Sequence, residues 1–214
     1  MQLIITQDLV QKVLSTVDAG LTKGKGKPIP GQMCVEAAVN YALGRPHGDA
    51  PDCVGKAVRS FKIQLNDSRW SSDTARAAGM RKLAVAQLGS NTLDQVEFSK
   101  KLAFLTVTKF LPPVLRKAGL EAEAKACEAA ENLMAATAAA DAARAAAATA
   151  AATAARAAAA TAAAYAAYAA ARAAADAADR ILISMAELGL EVLKEMKSPG
   201  CEWLCLCDST AGVV

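Results

Sequence analysis

The stretch TAAADAARAAAATAAATAARAAAATAAAYAAYAAARAAADAADR, residues 137–180, decides the fold of this chain. Of its 44 residues, 31 are alanine, and none is glycine or proline. Alanine has the highest helix propensity of the common residues, and this preference adds up over successive positions. No turn-forming residue stands inside the stretch to end a helix. The sequence therefore predicts helix throughout this tract.

The predicted helix extends beyond the tract in both directions. The helix breakers before it are the double proline at 112–113 and Gly119, and those after it are Gly189 and then Ser-Pro-Gly at 198–200. One continuous helix over residues 120–197 would be roughly 115 Å long at 1.5 Å per residue. Its far end, residues 181–196, carries a stripe of bulky apolar residues. Such a stripe is expected to pack against other helices or against a second copy of the chain.

The tract contains an internal repeat of twelve residues that begins at Thr137, Thr149 and Thr161. Alanine-rich helices with regular threonines resemble the type I antifreeze proteins, which present threonine on one face at eleven-residue spacing. That resemblance implies ice binding, but a twelve-residue step turns the threonine by roughly 120° per repeat. A small-residue helix that lets its neighbours pack closely is therefore the preferred interpretation.

The net charge of +3 hides an asymmetry between the two halves of the chain. Residues 1–119 hold 17 Lys or Arg and 9 Asp or Glu, whereas residues 120–214 hold 7 and 12. A basic front half could meet nucleic acid or acidic lipid. Docking of this basic domain on its own acidic helix, or on that of another copy, is the preferred alternative.

Compartment and membrane topology are bounded by three features. The first residues have no basic region and too short an apolar run for a signal peptide. Because no signal peptide is predicted, the six cysteines are expected to be free thiols in a reducing cytoplasm. The longest uncharged window in the tract, residues 157–171, is shorter than the roughly 20 apolar residues of a membrane span. We expect a cytoplasmic protein without a membrane span.

Residues 1–119 predict four or five short helices, with start signals at Thr6, in the Ser-Ser-Asp-Thr cluster at 71–74 and at Thr92. On the third of these helices, Lys62 is placed away from the apolar side. The fold class expected is all-α: a small domain of four to five short helices followed by one very long alanine-rich helix. The expected domains are 1–119, the long helix 120–197 and a tail containing Cys and Trp, 198–214.

A candidate thiol site lies in the front half. Cys34 falls in the first turn of a predicted helix, where the helix dipole favours a thiolate. Gln32 could donate to an oxyanion, and His47 and Asp49 follow shortly after the helix. This arrangement resembles papain-like enzymes, whose cysteine opens a helix after a glutamine, and the resemblance implies a cysteine-dependent hydrolase. Burial of Cys34 as an ordinary core residue is the competing interpretation.

Two groups of basic residues are candidates for nucleic-acid binding. Lys23, Lys25 and Lys27 alternate with glycine in a loop that lacks the order of a phosphate-binding P-loop. A second group lies on the helix that follows Trp70 and consists of Arg76, Arg81 and Lys82. A mobile solvated loop and an ordinary basic helix surface are the competing interpretations.

The tail carries Cys201, Cys205 and Cys207, one thiol short of the four ligands of structural zinc. We therefore predict no metal and no cofactor. The function expected is non-catalytic: a structural or protein-interaction protein, a homo-oligomer or a partner of another protein through its long helix. A thiol hydrolase and a nucleic-acid-binding protein are the alternatives, and whether the chain is an enzyme stays open.

Overall fold

A computed structural model of the protein describes residues 3–158 and 164–208, with side chains for 3–147 and 178–208. The described part is mostly helical, and its β pairing is limited to an isolated bridge between Gly26 and Met33. The mostly helical fold class is therefore confirmed. The α-helices, in chain order, are α1 Gln7–Asp18, α2 Val35–Ala42, α3 Lys56–Asn66, α4 Asp73–Ala86, α5 Gln95–Leu105, α6 Leu111–Lys117, α7 Glu121–Glu128, α8 Leu133–Ala158, α9 Ala164–Glu195 and α10 Cys205–Asp208.

The single helix predicted over residues 120–197 is interrupted, and that prediction is wrong at its start. Helix α7 ends at Glu128, and α8 begins only at Leu133. The cause is a local hydrogen bond: the side chain of Asn132 accepts from the backbone N–H of Ala135 at 2.9 Å, which makes Asn132 a helix cap. Continuity across residues 159–163 lies outside the described residues.

The double proline was predicted to break a helix, but the backbone continues through it. Residues Thr106–Phe110 form a turn of π-helix between α5 and α6, and the two prolines occupy the first turn of α6. Proline lacks the N–H that the carbonyl four residues earlier would use, and a π-turn accommodates this loss without ending the helix. Thr106 and Thr108 donate their hydroxyls to carbonyls one turn back.

The chain forms two compact units. The first unit comprises Met1–Ser99 and Ala175–Val214, and the second comprises Lys100–Ala174. Dividing the chain into domains at 119/120 and 197/198 stays a prediction.

The first unit is built around α4, which packs against α1, α2 and the short 3-10 turn Pro199–Trp203. Its core consists of fully or nearly fully buried aliphatic residues, among them Val10, Val13, Val39, Met80, Leu83, Val192 and Leu193. Gly189 lets α9 approach α3, because a Cβ at this position would lie 2.4 Å from the ring of Phe61. The interior glycine of α9 is therefore a packing requirement.

Start signals in the sequence are confirmed at two helices and displaced at a third. The Thr6 hydroxyl accepts from Leu9 at the start of α1, and Ser72 caps α4 in the same way. At α5 the capping side chain is Asp94, whose carboxylate accepts from two backbone N–H groups; Thr92 instead ends a short 3-10 turn.

The second unit has a small apolar core of Leu115, Ala124, Cys127 and Ala143. Arg116 forms a two-pronged ion pair with Glu128, with nitrogen–oxygen distances of 2.7 and 2.6 Å. This fork joins α6 to the end of α7. No helix within the described ranges is both long enough and apolar enough to cross a membrane.

Candidate functional site

Cys34 stands at the start of α2, as the sequence predicts, but its thiol has a structural task. Its Sγ accepts the backbone N–H of Ala37 at 3.4 Å and so serves as the helix cap. The side chain is buried, with 4% of the residue exposed. A buried sulfur that serves as a helix cap is poorly placed to contact a substrate.

Burial also decides the protonation of this thiol. Loss of solvation raises the pKa of Cys34, and the backbone N–H groups of Ala37 and Glu36 only partly oppose that rise. The helix start therefore acts on the sulfur in the predicted direction, but burial has the larger effect. Because the thiolate is the nucleophile, a raised pKa works against catalysis at neutral pH.

The four candidate catalytic residues are only partly brought together. Cys34 and Asp49 line one small cavity of about 70 Å³, together with Lys25 and Asn66. His47 is engaged elsewhere, since its Nε2 lies 3.0 Å from the carbonyl oxygen of Gly26. Gln32 is exposed, and its backbone carbonyl accepts from Lys27. A catalytic role for these residues stays a prediction.

Two residues after Cys34, a charged side chain lies in the core. Glu36 of α2 and Lys62 of α3 are both fully buried, with Lys62 Nζ 3.4 Å from Glu36 Oε1. Gln87, at the end of α4, is buried beside them. The carboxylate oxygens, Lys62 Nζ and Gln87 Oε1 have no hydrogen-bond partner within the described part of the chain.

Burial drives this charged pair toward its neutral forms. Desolvation raises the pKa of Glu36, while the neighbouring charge of Lys62 lowers it again. Desolvation likewise lowers the pKa of Lys62, and Glu36 opposes that shift. Perturbed ionisable groups of this kind occur both in functional sites and in structural ion pairs. Here the complete burial of both side chains favours a structural role.

The predicted position of Lys62, away from the apolar side of α3, is wrong. Lys62 lies four residues after Val58 and three before Leu65, and all three residues are buried. This spacing is the signal that could have found it, because positions three and four apart share one face of a helix. Charged residues are rarely buried without a partner, so this spacing is a weak signal when the residue is a lysine.

The basic residues of α4 are used inside the first unit. Arg76 is buried and donates to the carbonyl oxygens of Asn66 and Leu21, each at 2.8 Å, and also pairs with Asp73. These bonds join the first turn of α4 to the end of α3 and to the turn that follows α1. Arg76 is therefore not presented to a nucleic acid.

Arg81 and Lys82 are likewise paired with acidic residues. Arg81 forms a fork with Asp18 at 2.7 and 3.1 Å, and Lys82 Nζ lies 2.8 Å from Asp208. The first unit as a whole holds 15 Lys or Arg and 16 Asp or Glu, so its formal charge is close to zero. The basic character of residues 1–99 is thus balanced largely by the acidic end of the same unit.

Lys23, Lys25 and Lys27, in contrast, are exposed on the loop before α2. No ion pair involves them within the described residues. Of the six basic candidates, these three are the ones available to an anionic partner.

Comparison with known proteins adds no relative. No protein-family model, curated protein or solved structure matches this chain. The candidate sites therefore depend on their own geometry.

The three tail thiols lie in different environments. Cys201 is half-buried, Cys205 is exposed and Cys207 is buried. Burial raises the pKa of Cys201 to about 11 and also raises that of Cys207. Within residues 3–158 and 164–208, no cluster of three His, Cys, Asp or Glu has the arrangement of a metal site.

Proposed function

We propose that the chain is a non-catalytic structural or protein-interaction protein that associates with identical copies through its alanine-rich helices, α8 and α9. The observation that supports this most is the exposure of bulky apolar side chains at the two ends of the alanine-rich segment. Met134 is 81% exposed at the start of α8, and Ile181 and Ile183 are 43% and 39% exposed in α9.

These residues supply the large apolar surface that the alanine tract lacks. Burying a methyl group gains little free energy, whereas full burial of a Met or Ile side chain contributes about 1.5–3 kcal/mol. Small alanine side chains allow helices to approach closely, and the larger residues at the ends would then provide the affinity. Side chains of residues 148–177, in the middle of the segment, lie outside the described part.

The two alternative functions have less support. A thiol hydrolase would need an accessible, ionised Cys34, and that sulfur is buried and caps a helix. Nucleic-acid binding by α4 would need free cations, and Arg81 and Lys82 are paired with acids. A reducing, cytoplasmic location remains our expectation, and all six cysteines are free thiols.

Light scattering at increasing protein concentration tests the proposal. A species heavier than the 22.0 kDa chain is expected. Met134→Lys and Ile183→Lys should each shift the population toward monomer, because a charge in an apolar interface is costly. Ile4→Lys is the matched control, since Ile4 is 82% exposed in the chain before α1. A monomer at every concentration would count against the proposal.

A further inference from the structure

The loop between α1 and α2 folds as a hairpin with exposed lysines. We define the basic hairpin as residues Thr22–Cys34. Its two arms are joined by backbone hydrogen bonds from Thr22 to Met33 at 2.9 Å, from Lys27 to Gln32 at 2.7 Å and from Cys34 to Lys25 at 3.4 Å. Backbone hydrogen bonds between the two arms therefore stabilise the hairpin conformation.

The base of the basic hairpin is anchored in the first unit. Asn66 Nδ2 donates to the carbonyl of Thr22 at 3.0 Å, and Asp67 accepts from the N–H of Gly24 at 2.8 Å. Met33 is buried. Gly26 has a φ of +69° and no room for a side chain, because a Cβ would lie 2.0 Å from the Gln32 carbonyl oxygen.

The tip of the basic hairpin is apolar. Pro28, Ile29 and Pro30 are all exposed, and Ile29 is exposed by 47%. The two prolines have no N–H, and the N–H of Ile29 already donates to Lys27 at 2.7 Å. These three residues therefore bring no unsatisfied backbone donor to an apolar surrounding, where such a donor would be costly.

The arm that leads to this tip is positively charged. Lys23, Lys25 and Lys27 are exposed, and no ion pair neutralises them within the described residues. Two carboxylates, those of Asp67 and Asp49, lie at the base of the basic hairpin and have different partners. Asp67 is occupied by Gly24 and Asn66, whereas Asp49 lies near Lys25 at the cavity beside Cys34. Three cations thus lie next to an exposed apolar tip.

From this arrangement we infer that the basic hairpin docks on an anionic lipid bilayer surface. Ile29 enters the boundary between headgroups and acyl chains, and the three lysines lie against the anionic headgroups. A nucleic acid would satisfy the lysines but would leave the apolar tip without a partner. One apolar residue and three cations make a weak, reversible attachment, and the binding does not depend on the proposed self-association.

Co-sedimentation of the full chain with vesicles tests the inference. Vesicles of phosphatidylcholine mixed with phosphatidylserine should bind the protein, and vesicles of phosphatidylcholine alone should not. Replacing Lys23, Lys25 and Lys27 together by Gln should weaken binding roughly a hundredfold, at about fivefold for each lysine. Lys56→Gln, at an exposed position on α3, is the matched control and should bind normally.

The Ile29→Ser variant tests whether the partner is a lipid bilayer or another polyanion, because only a bilayer would contact the apolar tip. This variant should bind the mixed vesicles about tenfold less tightly, because the apolar contact is lost. Ile4→Ser, which removes another exposed isoleucine, should bind like the unchanged chain. The inference is overturned if the unchanged chain ignores the mixed vesicles, or if Ile29→Ser binds them with full affinity. Circular dichroism of each surface variant checks that the variant is folded.

Discussion

Lys62 Nζ lies 3.4 Å from Glu36 Oε1, and neither side chain is exposed to solvent. This pair joins α2 to α3 in the centre of the first unit. Two buried charges lose much more hydration than a surface pair, and their mutual attraction repays that cost only when the geometry is good. Because both side chains are fully buried, the loss of either one leaves the other in the core without its counter-charge.

Lys62→Met should therefore destabilise the fold strongly. The substitution removes the cation and leaves the Glu36 carboxyl group in the core without its partner. Removing one member of a buried pair costs about 3–5 kcal/mol. Urea unfolding, followed by circular dichroism, measures the change in the free energy of unfolding.

The double variant Glu36→Gln with Lys62→Met should be more stable than Lys62→Met alone, because it leaves no unpaired charge in the core. Lys56→Met is the matched control on the same helix, at an exposed position, and should change stability by less than about 0.5 kcal/mol. If Lys62→Met has as small an effect as its control, the two side chains are not a buried pair in solution.

Thiol labelling should distinguish Cys34 from Cys205. Cys205 is exposed on α10, whereas Cys34 is buried and its pKa is raised by that burial. Iodoacetamide should modify Cys205 readily in the native protein and should reach Cys34 only when the chain opens. Mass spectrometry of digested protein gives the rate at each cysteine.

Free cysteine in the same buffer is the reference for that experiment, and unfolded protein is the control for accessibility. Labelling of native Cys34 faster than the reference would make the thiol hydrolase, so far an alternative, the leading function. That result would require a lowered pKa and an open path to the sulfur, both contrary to its burial.

Much of the fold could be predicted because it depends on local sequence. Thr6 caps α1 as expected, Ser72 of the predicted cluster at 71–74 caps α4, and alanine forms helix in the described parts of its tract. The break before Leu133 was missed because it contains no glycine or proline, and only Asn132 marks it. A single capping residue is a weak signal inside a segment rich in helix-forming residues.

The candidate sites were harder to predict because burial and pairing depend on distant parts of the chain. Arg81 has its acidic partner at Asp18, 63 positions earlier, and Lys82 has its partner at Asp208, in the tail. A helical pattern shows which residues share a face but does not show what covers that face. At Cys34 the sequence indicated both the helix dipole and burial, and only the packing of the folded chain shows that burial has the larger effect on the pKa.

Cys201 should make the stability of the first unit depend on pH in the alkaline range. Burial raises its pKa to about 11, and the charge of Lys194 opposes this shift only in part. In the unfolded chain the thiol ionises near pH 8.5. The unfolded state then binds fewer protons than the folded state, so the free energy of unfolding falls as pH rises from about 8.5 toward 11.

Cys201→Ala removes this contribution. The free energy of unfolding of this variant should therefore fall less steeply with rising pH than that of the unchanged chain over the same range. Urea unfolding in the presence of a phosphine reductant, at several pH values, provides both curves. Other titrating groups contribute equally to the two proteins and cancel in the comparison. Cys205→Ala, at the exposed neighbouring thiol, should run parallel to the unchanged chain. Parallel curves for Cys201→Ala as well would mean that the Cys201 thiol is solvated in the folded protein.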